Sequence, residues 1–383
     1  MKTILFSDLH IGLNLPTNWY QKTFHQKYLK ALLNYIVQEG AHIQDVVILG
    51  DWFDYWMYAP TGPIPANLDE IFDANPEVFS ASPDGDFITC MDSIQGRFYY
   101  INGNHDMTVK AADINRRFRR LSTKGREVIC RDNPQENVVY QSGAIYAEHG
   151  HRHSLFCRPD YDRNNTYRPL PLGYFLARTW SGRTAACCED ATCLGQRAPV
   201  ENSLFGADML CFTEIIKATA KKSVLAKLVL YALVAIIGKT NPEEYHYVLQ
   251  DGTSINAVEA AKLFPELTIR RDLKGFLVDV NHSLTRAGEK LCKQGSRVVI
   301  MGHTHVPEIK LYLFRQNFKL CSGIYVNTGF LSPGLAELEQ KKSMFTFAEV
   351  ELIKEKYIVR LKKVDYPGAG ITTVQEISVG AGH

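Results

Sequence analysis

Val46-Val47-Ile48-Leu49-Gly50-Asp51-Trp52-Phe53-Asp54 is a four-residue apolar run that stops abruptly at Gly-Asp. A short, β-branched, continuous apolar run bounded by glycine predicts a strand buried on both faces, as in a parallel sheet or a sandwich core. Asp51 then lies just past the strand's end. Open α/β sheets place their sites at that edge, and the strand behind holds the carboxylate rigid.

The same construction recurs along the chain. Thr3-Ile4-Leu5-Phe6-Ser7 runs into Asp8-Leu9-His10, and Phe98-Tyr99-Tyr100-Ile101-Asn102-Gly103 runs into Asn104-His105-Asp106. Ala144-Ile145-Tyr146-Ala147-Glu148 runs into His149-Gly150, and Arg297-Val298-Val299-Ile300-Met301-Gly302 runs into His303-Thr304-His305. Five apolar strands that each end in Asp, Asn or His predict a metal site assembled from strand ends. Such ligands, without a thiolate, suit Mn, Fe, Zn or Ni better than a Cys-bound structural zinc. Asp8 and His10 stand two apart, so on a continuing strand they share one face and grip one ion, and the same holds for His303 and His305. Asp51 offers two oxygens and can bridge two ions ~3.5–4 Å apart, the usual arrangement for in-line phosphoryl displacement, with a bridging water as nucleophile. His149, His151 and His153 alternate, and the strand-end position favours His149. His25, His42, His246 and His282 lack such a context and read as surface or core histidines.

Composition narrows the class. The 383 residues allow one large domain or two, and 45% hydrophobic with 22% charged content is that of a globular protein with a sizeable core. Lys+Arg 43 against Asp+Glu 41 gives a net charge of +2, which provides no electrostatic footprint for nucleic acid. The local crowd of Arg116, Arg117, Arg119, Arg120, Lys124 and Arg126 reads as a solvated helix face. Nine cysteines, an odd number without a C-x-x-C pair, read as reduced thiols. The chain enters its first strand at about residue 3 without a signal-peptide pattern, which predicts a cytoplasmic enzyme. The longest apolar run, Leu228 to Ile237, is ten residues, whereas a bilayer span needs ~20. That run leaves a groove, a partner or a membrane surface as its neighbour, with burial in its own core as the alternative.

Between the motifs, Trp19 to Glu39 has a helical period ending at Gly40, residues 55–97 read as an irregular excursion with short helices, and Val109 to Phe118 as a short helix. Val128-Ile129-Cys130 and Val138-Val139-Tyr140-Gln141 read as strands, with Asn133-Pro134 turning between them. From about Ser154 to Gly295 no strand-end pattern occurs, and helical periodicity covers much of Met209 to Ile237 and Asn256 to Phe264. After His305 strands return, ending in a hairpin of Met344–Leu352 and Tyr357–Val364. The expected architecture is a core of residues 1–153 and 296–383 interrupted by a helical insertion, 154–295. Because that insertion leaves after the His149 strand and returns before the His303 strand, both its ends are expected beside the metals, where it forms a cap. Arg152, Arg158 and Arg163 at its base would meet phosphate oxygens, as arginine's fork geometry suits.

Asp8-x-His10, Gly50-Asp51-x-x-Asp54, Gly103-Asn104-His105-Asp106, His149-Gly150 and Gly302-His303-x-His305, in this order, resemble the five motifs of the calcineurin-like metallophosphoesterase superfamily. The resemblance covers about residues 1–153 and 296–330. It implies an α/β fold of the four-layer α+β kind: a β-sandwich flanked by helices, with a dinuclear site at one edge. Carried over position by position, one metal would be held by Asp8, His10, Asp51 and His305, the other by Asp51, Asn104, His149 and His303. Manganese is the expected ion, and a metal-bridging hydroxide would attack a phosphomonoester, phosphodiester or pyrophosphate. His105 would protonate the leaving oxygen, oriented by Asp54. Within the superfamily the chain looks most like the branch that hydrolyses UDP-2,3-diacylglucosamine. It departs from that branch at His105, where the branch has Arg, and in its longer insertion. The substrate classes left open are a phosphorylated small molecule and a lipid-linked or nucleotide-linked ester. Two other readings compete. A metallo-nuclease of the same superfamily would need a basic channel, and a non-catalytic scaffold would tend to have lost ligands.

Overall fold

The structure, a computed structural model, describes residues 1–130, 139–154, 157–158, 170–187, 241–262, 280–316, 318–329, 345–365 and 370–381. In chain order the elements are β1 (Lys2–Phe6), α1 (Lys22–Glu39), β2 (Ile43–Leu49), α2 (Leu68–Ala74), α3 (Pro76–Phe79), α4 (Phe87–Ser93), β3 (Arg97–Ile101), α5 (Ala111–Leu121), β4 (Val128–Cys130), β5 (Tyr140–Ser142) and β6 (Ile145–Ala147). They continue with α6 (Leu172–Cys187), β7 (His246–Val248), β8 (Ser254–Asn256), α7 (Ala257–Lys262), α8 (Val280–Lys293), β9 (Val298–Met301), β10 (Glu308–Gln316), β11 (Lys319–Asn327), β12 (Phe345–Ile353), β13 (Lys356–Val364) and β14 (Ile371–Gly380).

Two sheets form the core. One has the order β14-β13-β12-β1-β2-β3-β4 and the other β10-β11-β9-β6-β5. β1, β2, β3 and β4 run parallel, as do β6, β9 and β11, while the outer strands are antiparallel.

The alternation of side chains shows why the parallel strands are apolar at every position. Ile4 and Phe6 of β1, with Val46 and Ile48 of β2, face a helix-covered core, while Leu5, Val47 and Leu49 face the layer between the sheets. In the second sheet Val298 and Ile300 face that same inner layer, and Val299 and Met301 face outward with Leu284 of α8. The result is helix, sheet, sheet, helix: the four layers expected. α1 supplies Tyr28, Leu29, Leu32, Leu33 and Ile36 to the outer core, the helical period read from the sequence.

β6 and β9 are parallel neighbours, with Ile145 beside Val298. β9 therefore starts at the end of the sheet far from His149, and Arg297 N–H donates to Ala144 O there. This corrects the expectation that both ends of 154–295 lie beside the metals. α8 carries the chain back across the second sheet: Leu284 lies where a Cβ on Gly150 would be, and Cys292 lies beside Gly323.

Other described parts of the same segment also pack on the core, with Tyr174, Phe175, Tyr247, Leu249 and Ile255 in the outer cluster. β7 and β8 form a hairpin in which Tyr247 pairs with Ile255. Three-residue strands are too short to leave an alternating pattern in the sequence. Leu228–Ile237, Asn133-Pro134 and Arg163 lie outside the described residues. The described cysteines 90, 130, 157, 292 and 321 are free thiols. Among the described residues no helix is long and apolar enough to cross a membrane.

Candidate metal centre

The C-terminal ends of β1, β2, β3, β6 and β9 meet at one edge of the sandwich. Asp8 N–H donates to Gly50 O (3.1 Å), His10 N–H to Asp51 O (2.9 Å), and Gly302 N–H to His149 O (3.0 Å), so each motif loop is pinned to the next. The strand geometry does not continue into these loops. β1 ends at Phe6, and Asp8, His10, Asp51, His303 and His305 all hold left-handed φ values, between 51° and 71°. Asp8 and His10 thus converge through a curled loop rather than along one face of a strand, as do His303 and His305. Non-glycine residues in this region cost of order 1 kcal/mol each and persist where surroundings over-determine them. The glycines beside them leave no room for a side chain: a Cβ on Gly103 would collide with Asp51 Oδ1, and one on Gly302 with Ser7 Oγ and Asp8 Oδ2.

Two ligand trios result. Asp8, His10 and His305 form one, and Asp51, His149 and His303 the other, each with ligand atoms within 4.8 Å of one another. In the first, His10 Nε2 faces His305 Nε2 at 3.2 Å and His305 Nε2 faces Asp8 Oδ1 at 3.2 Å. In the second, His149 donates Nδ1–H to Leu49 O (2.6 Å), which leaves Nε2 toward Asp51 Oδ2 (3.2 Å) and Asn104 Oδ1 (3.1 Å). Asp51 Oδ2 is also 3.8 Å from His10 Nε2, so one carboxylate borders both trios. Asp51 Oδ1 accepts from His105 N–H (2.8 Å).

The donor set fits two divalent ions. Asp8 Oδ1 is buried and accepts no hydrogen bond, and His10 Nε2 and His305 Nε2 face each other 3.2 Å apart, close enough to share one proton or both to reach one cation. Electrostatics agree. Burial lowers the His149 imidazole, but Asp51 beside it lifts it to about 10, so a proton stands where a cation would. Burial and the neighbouring His149 push His303 down to about 3, which keeps it neutral and able to ligate.

A third group lies against the first: His10, Asp54 and His105. His105 Nδ1–H donates to Asp54 Oδ1 (3.0 Å), and Asp54 Oδ1 in turn accepts from Trp56 N–H (2.8 Å) and Met57 N–H (3.0 Å). Burial works against the charged imidazole of His105, but Asp54 and Asp51 outweigh it and hold its pKa above the ordinary value.

The structure therefore brings together Asp8, His10, Asp51, Asn104, His149, His303, His305, His105 and Asp54. Of the arginines, Arg152 lies in the short 3-10 turn His151–His153 beside the site, and Arg158 is exposed just beyond it. His151 is buried 5.3 Å from the His149 ring and 6.4 Å from that of His303. Of the other histidines, His25 is buried with Nδ1 accepting from Gln21 N–H, and His42 and His246 are exposed.

Three contributors escaped the sequence reading. Asp106 accepts from the N–H groups of Gly103 (2.6 Å), Trp52 (2.7 Å) and Phe53 (3.2 Å), tying the second motif loop to the third. Burial and Asp51 push its carboxyl up to about 7, while the Tyr100 hydroxyl and the Gly103 N–H act in the opposite direction. Its signal was its place in Gly103-Asn104-His105-Asp106. Trp56 stacks on the His105 ring at 4.5 Å, and Trp19 packs 4.5 Å from the His10 ring and 5.3 Å from that of His105. Neither tryptophan carries a sequence signal that separates it from a core residue. Of the basic crowd, Arg116, Arg119 and Arg120 are exposed on α5, with Arg116 paired to Asp69. The solvated-face reading fails for Arg117, which is largely buried against Asp73 and Phe79 O, and for Arg126, which lies past the helix end and donates to Met91 O and Gly96 O.

The family model of the calcineurin-like phosphoesterases matches residues 1–187, the stretch that carries the first four motifs. None of the curated proteins matches the chain. Solved structures similar to it include a single mutant of Vps29 from Entamoeba histolytica, at 10% identity over 99% of this chain and 100% of that one, with a TM-score of 0.32. GAP50, the anchor in the inner membrane complex of Plasmodium, is 10% identical over 99% of this chain and 88% of that one, with a TM-score of 0.37. Vps29 of Chaetomium thermophilum is 8% identical over 99% of this chain and 95% of that one, with a TM-score of 0.30. These likenesses are too slight to bear on activity.

Proposed function

We propose that this protein is a dinuclear, manganese-dependent phosphoesterase whose two ions are held by Asp8, His10, Asp51 and His305 and by Asp51, Asn104, His149 and His303. The observation that carries the reading is Asp51 standing between two ligand trios with the His105–Asp54 pair alongside. When bound, the two ions supply an acidified water and neutralise charge developing on the phosphoryl oxygens. The chain supplies the rest. Asp54 accepts Nδ1–H of His105, which fixes the ring and leaves Nε2 to protonate the leaving oxygen. Trp56 covers one face of that ring and keeps it in place.

The substrate we propose is an amphiphilic or nucleotide-linked phosphoester, a class that includes the pyrophosphate of a nucleoside-diphosphate-linked lipid. The chain leaves the site through His151–His153, so the segment that follows begins at the metals, with Arg152 and Arg158 at its root. Those arginines would meet phosphate oxygens.

The test supplies Mn²⁺ to the purified protein and follows an aryl phosphomonoester, an aryl phosphodiester and a lipid-linked pyrophosphate. His105→Ala should retain both ions and lose ~10²–10⁴-fold in rate on an alkyl ester, the usual worth of general acid catalysis, with a smaller loss on an aryl ester that leaves unprotonated. Equal losses on both would remove His105 from that role. A protein that binds two ions and hydrolyses none of the three substrates would count against this reading and favour the scaffold.

A further inference from the structure

Arg178 on α6 is fully buried, and every one of its five N–H groups has an acceptor. Nε donates to Tyr58 O (2.7 Å), Nη1 to Tyr174 Oη (2.8 Å) and Val248 O (3.1 Å), and Nη2 to Ala59 O (2.7 Å) and Pro60 O (2.7 Å). Four of these acceptors are main-chain carbonyls, and three belong to consecutive residues of the loop that follows Asp54. A guanidinium spent on backbone fixes the course of that backbone, because a buried carbonyl stripped of its donor has no water to turn to.

The same helix reaches the acid by a second route. The Tyr174 ring meets the Trp56 ring edge-on at 5.8 Å, and Trp56 stacks on His105 at 4.5 Å with 26° between the planes. Arg178 therefore holds Tyr174 by its hydroxyl, Tyr174 backs Trp56, and Trp56 backs His105. The carbonyl clamp meanwhile fixes residues 58–60, just beyond the Trp56 and Met57 N–H groups that orient Asp54.

We infer that Arg178 and Tyr174 are positioning residues for the leaving-group acid: α6 sets the ring of His105 through Trp56 and through the loop that carries Asp54. The inference rests on the phosphoesterase reading above for its kinetic consequence, and on geometry alone for its structural one. Neither residue belongs to a metal trio, so both ions stay bound when the clamp is weakened.

Arg178→Lys keeps the charge but offers three N–H groups in place of five, so at least two acceptors lose their donor. On the Mn²⁺-loaded protein the variant should keep the parent's metal content and its KM, and lose about 10-fold in kcat on an alkyl phosphoester, part of the ~10²–10⁴-fold that a general acid supplies. On an aryl ester of good leaving ability its kcat should change less than about 2-fold, and in a His105→Ala background the substitution should cost nothing further, as for residues acting as a unit. Tyr174→Leu leaves the four carbonyl bonds in place and removes only the ring behind Trp56; it should show the same selectivity, and it carries the test if Arg178→Lys does not fold.

A second readout needs no turnover. In the zinc-loaded protein the ring protons of His105, identified by their loss in His105→Ala, should shift in both variants as stacking on Trp56 changes. Unmoved His105 resonances, equal losses on alkyl and aryl esters, or full additivity with His105→Ala would each overturn the inference. A parent protein inactive on every ester would instead overturn the phosphoesterase reading, with the resonance shifts still deciding the positioning role.

Discussion

Asp51 Oδ2 lies 3.2 Å from His149 Nε2 and 3.8 Å from His10 Nε2, while Oδ1 takes a backbone N–H from His105. One side chain thus borders both trios and also anchors the loop bearing His105. Asp51→Asn keeps the shape and replaces a charged oxygen by a neutral amide, a poorer ligand. Metal analysis should find both ions depleted, and hydrolysis should fall by several orders of magnitude, on the order of the loss expected when a two-metal site is dismantled. Retention of two ions per chain with normal turnover would show that Asp51 is not the bridge. The convergence of the proposed ligands was legible in the sequence because each follows a short apolar strand, and a strand end fixes where one side chain goes without knowledge of the rest. The left-handed backbone at Asp8, His10, Asp51, His303 and His305 was not legible, since it is imposed by packing against other loops. Arg178 was invisible for the same reason: its five acceptors sit at residues 58–60, 174 and 248, a grouping that only the folded chain makes.

At the scale of elements, β12 carries a buried carboxylate that joins β13 and α1. Glu349 accepts from Tyr35 Oη–H of α1 (2.5 Å), from Arg360 Nη1 (3.0 Å) and from Lys362 Nζ (3.2 Å), the last two on β13. Burial raises the Glu349 pKa, but the Tyr35 hydroxyl, Lys362 and Lys2 outweigh it and hold the carboxyl below its ordinary value. A carboxyl depressed in the folded state stabilises the fold fully above its unfolded pKa of ~4.3 and loses that contribution as pH falls through the folded value. Glu349→Gln should therefore lower stability at neutral pH and flatten the acid limb of a plot of urea midpoint against pH below about pH 4. An acid limb as steep as the parent's would show that other carboxylates govern it. The β12–β13 hairpin was readable from its alternation, whereas β14, next to it, was not. Residues 372–376 of β14 are all exposed, so the strand lacks the apolar period by which sequence reading finds one and exists through its ladder to β13.

Across the whole molecule the proposed ligands divide between the two sheets. Asp8, His10, Asp51 and Asn104 follow β1, β2 and β3 of the first, and His149, His303 and His305 follow β6 and β9 of the second. This edge packs carboxylates and imidazoles of both sheets together, so ions bound there as proposed would also hold the sandwich closed at one end. Anything that binds the folded chain alone stabilises it by about 2.7 kcal/mol at 100 times its dissociation constant. For a domain of ~150–250 residues each kcal/mol moves the midpoint by ~2–4 °C, so removing the metal should lower Tm by roughly 5–10 °C. Calorimetry of the Mn²⁺-loaded and chelator-treated protein reads this directly, and returning Mn²⁺ should restore the parent Tm. Asp51→Asn provides the contrast, with a Tm that responds little to either treatment. Equal responses of parent and variant would mean that the stabilising ion binds elsewhere. A parent indifferent to both would mean that the two sheets close without metal at this edge.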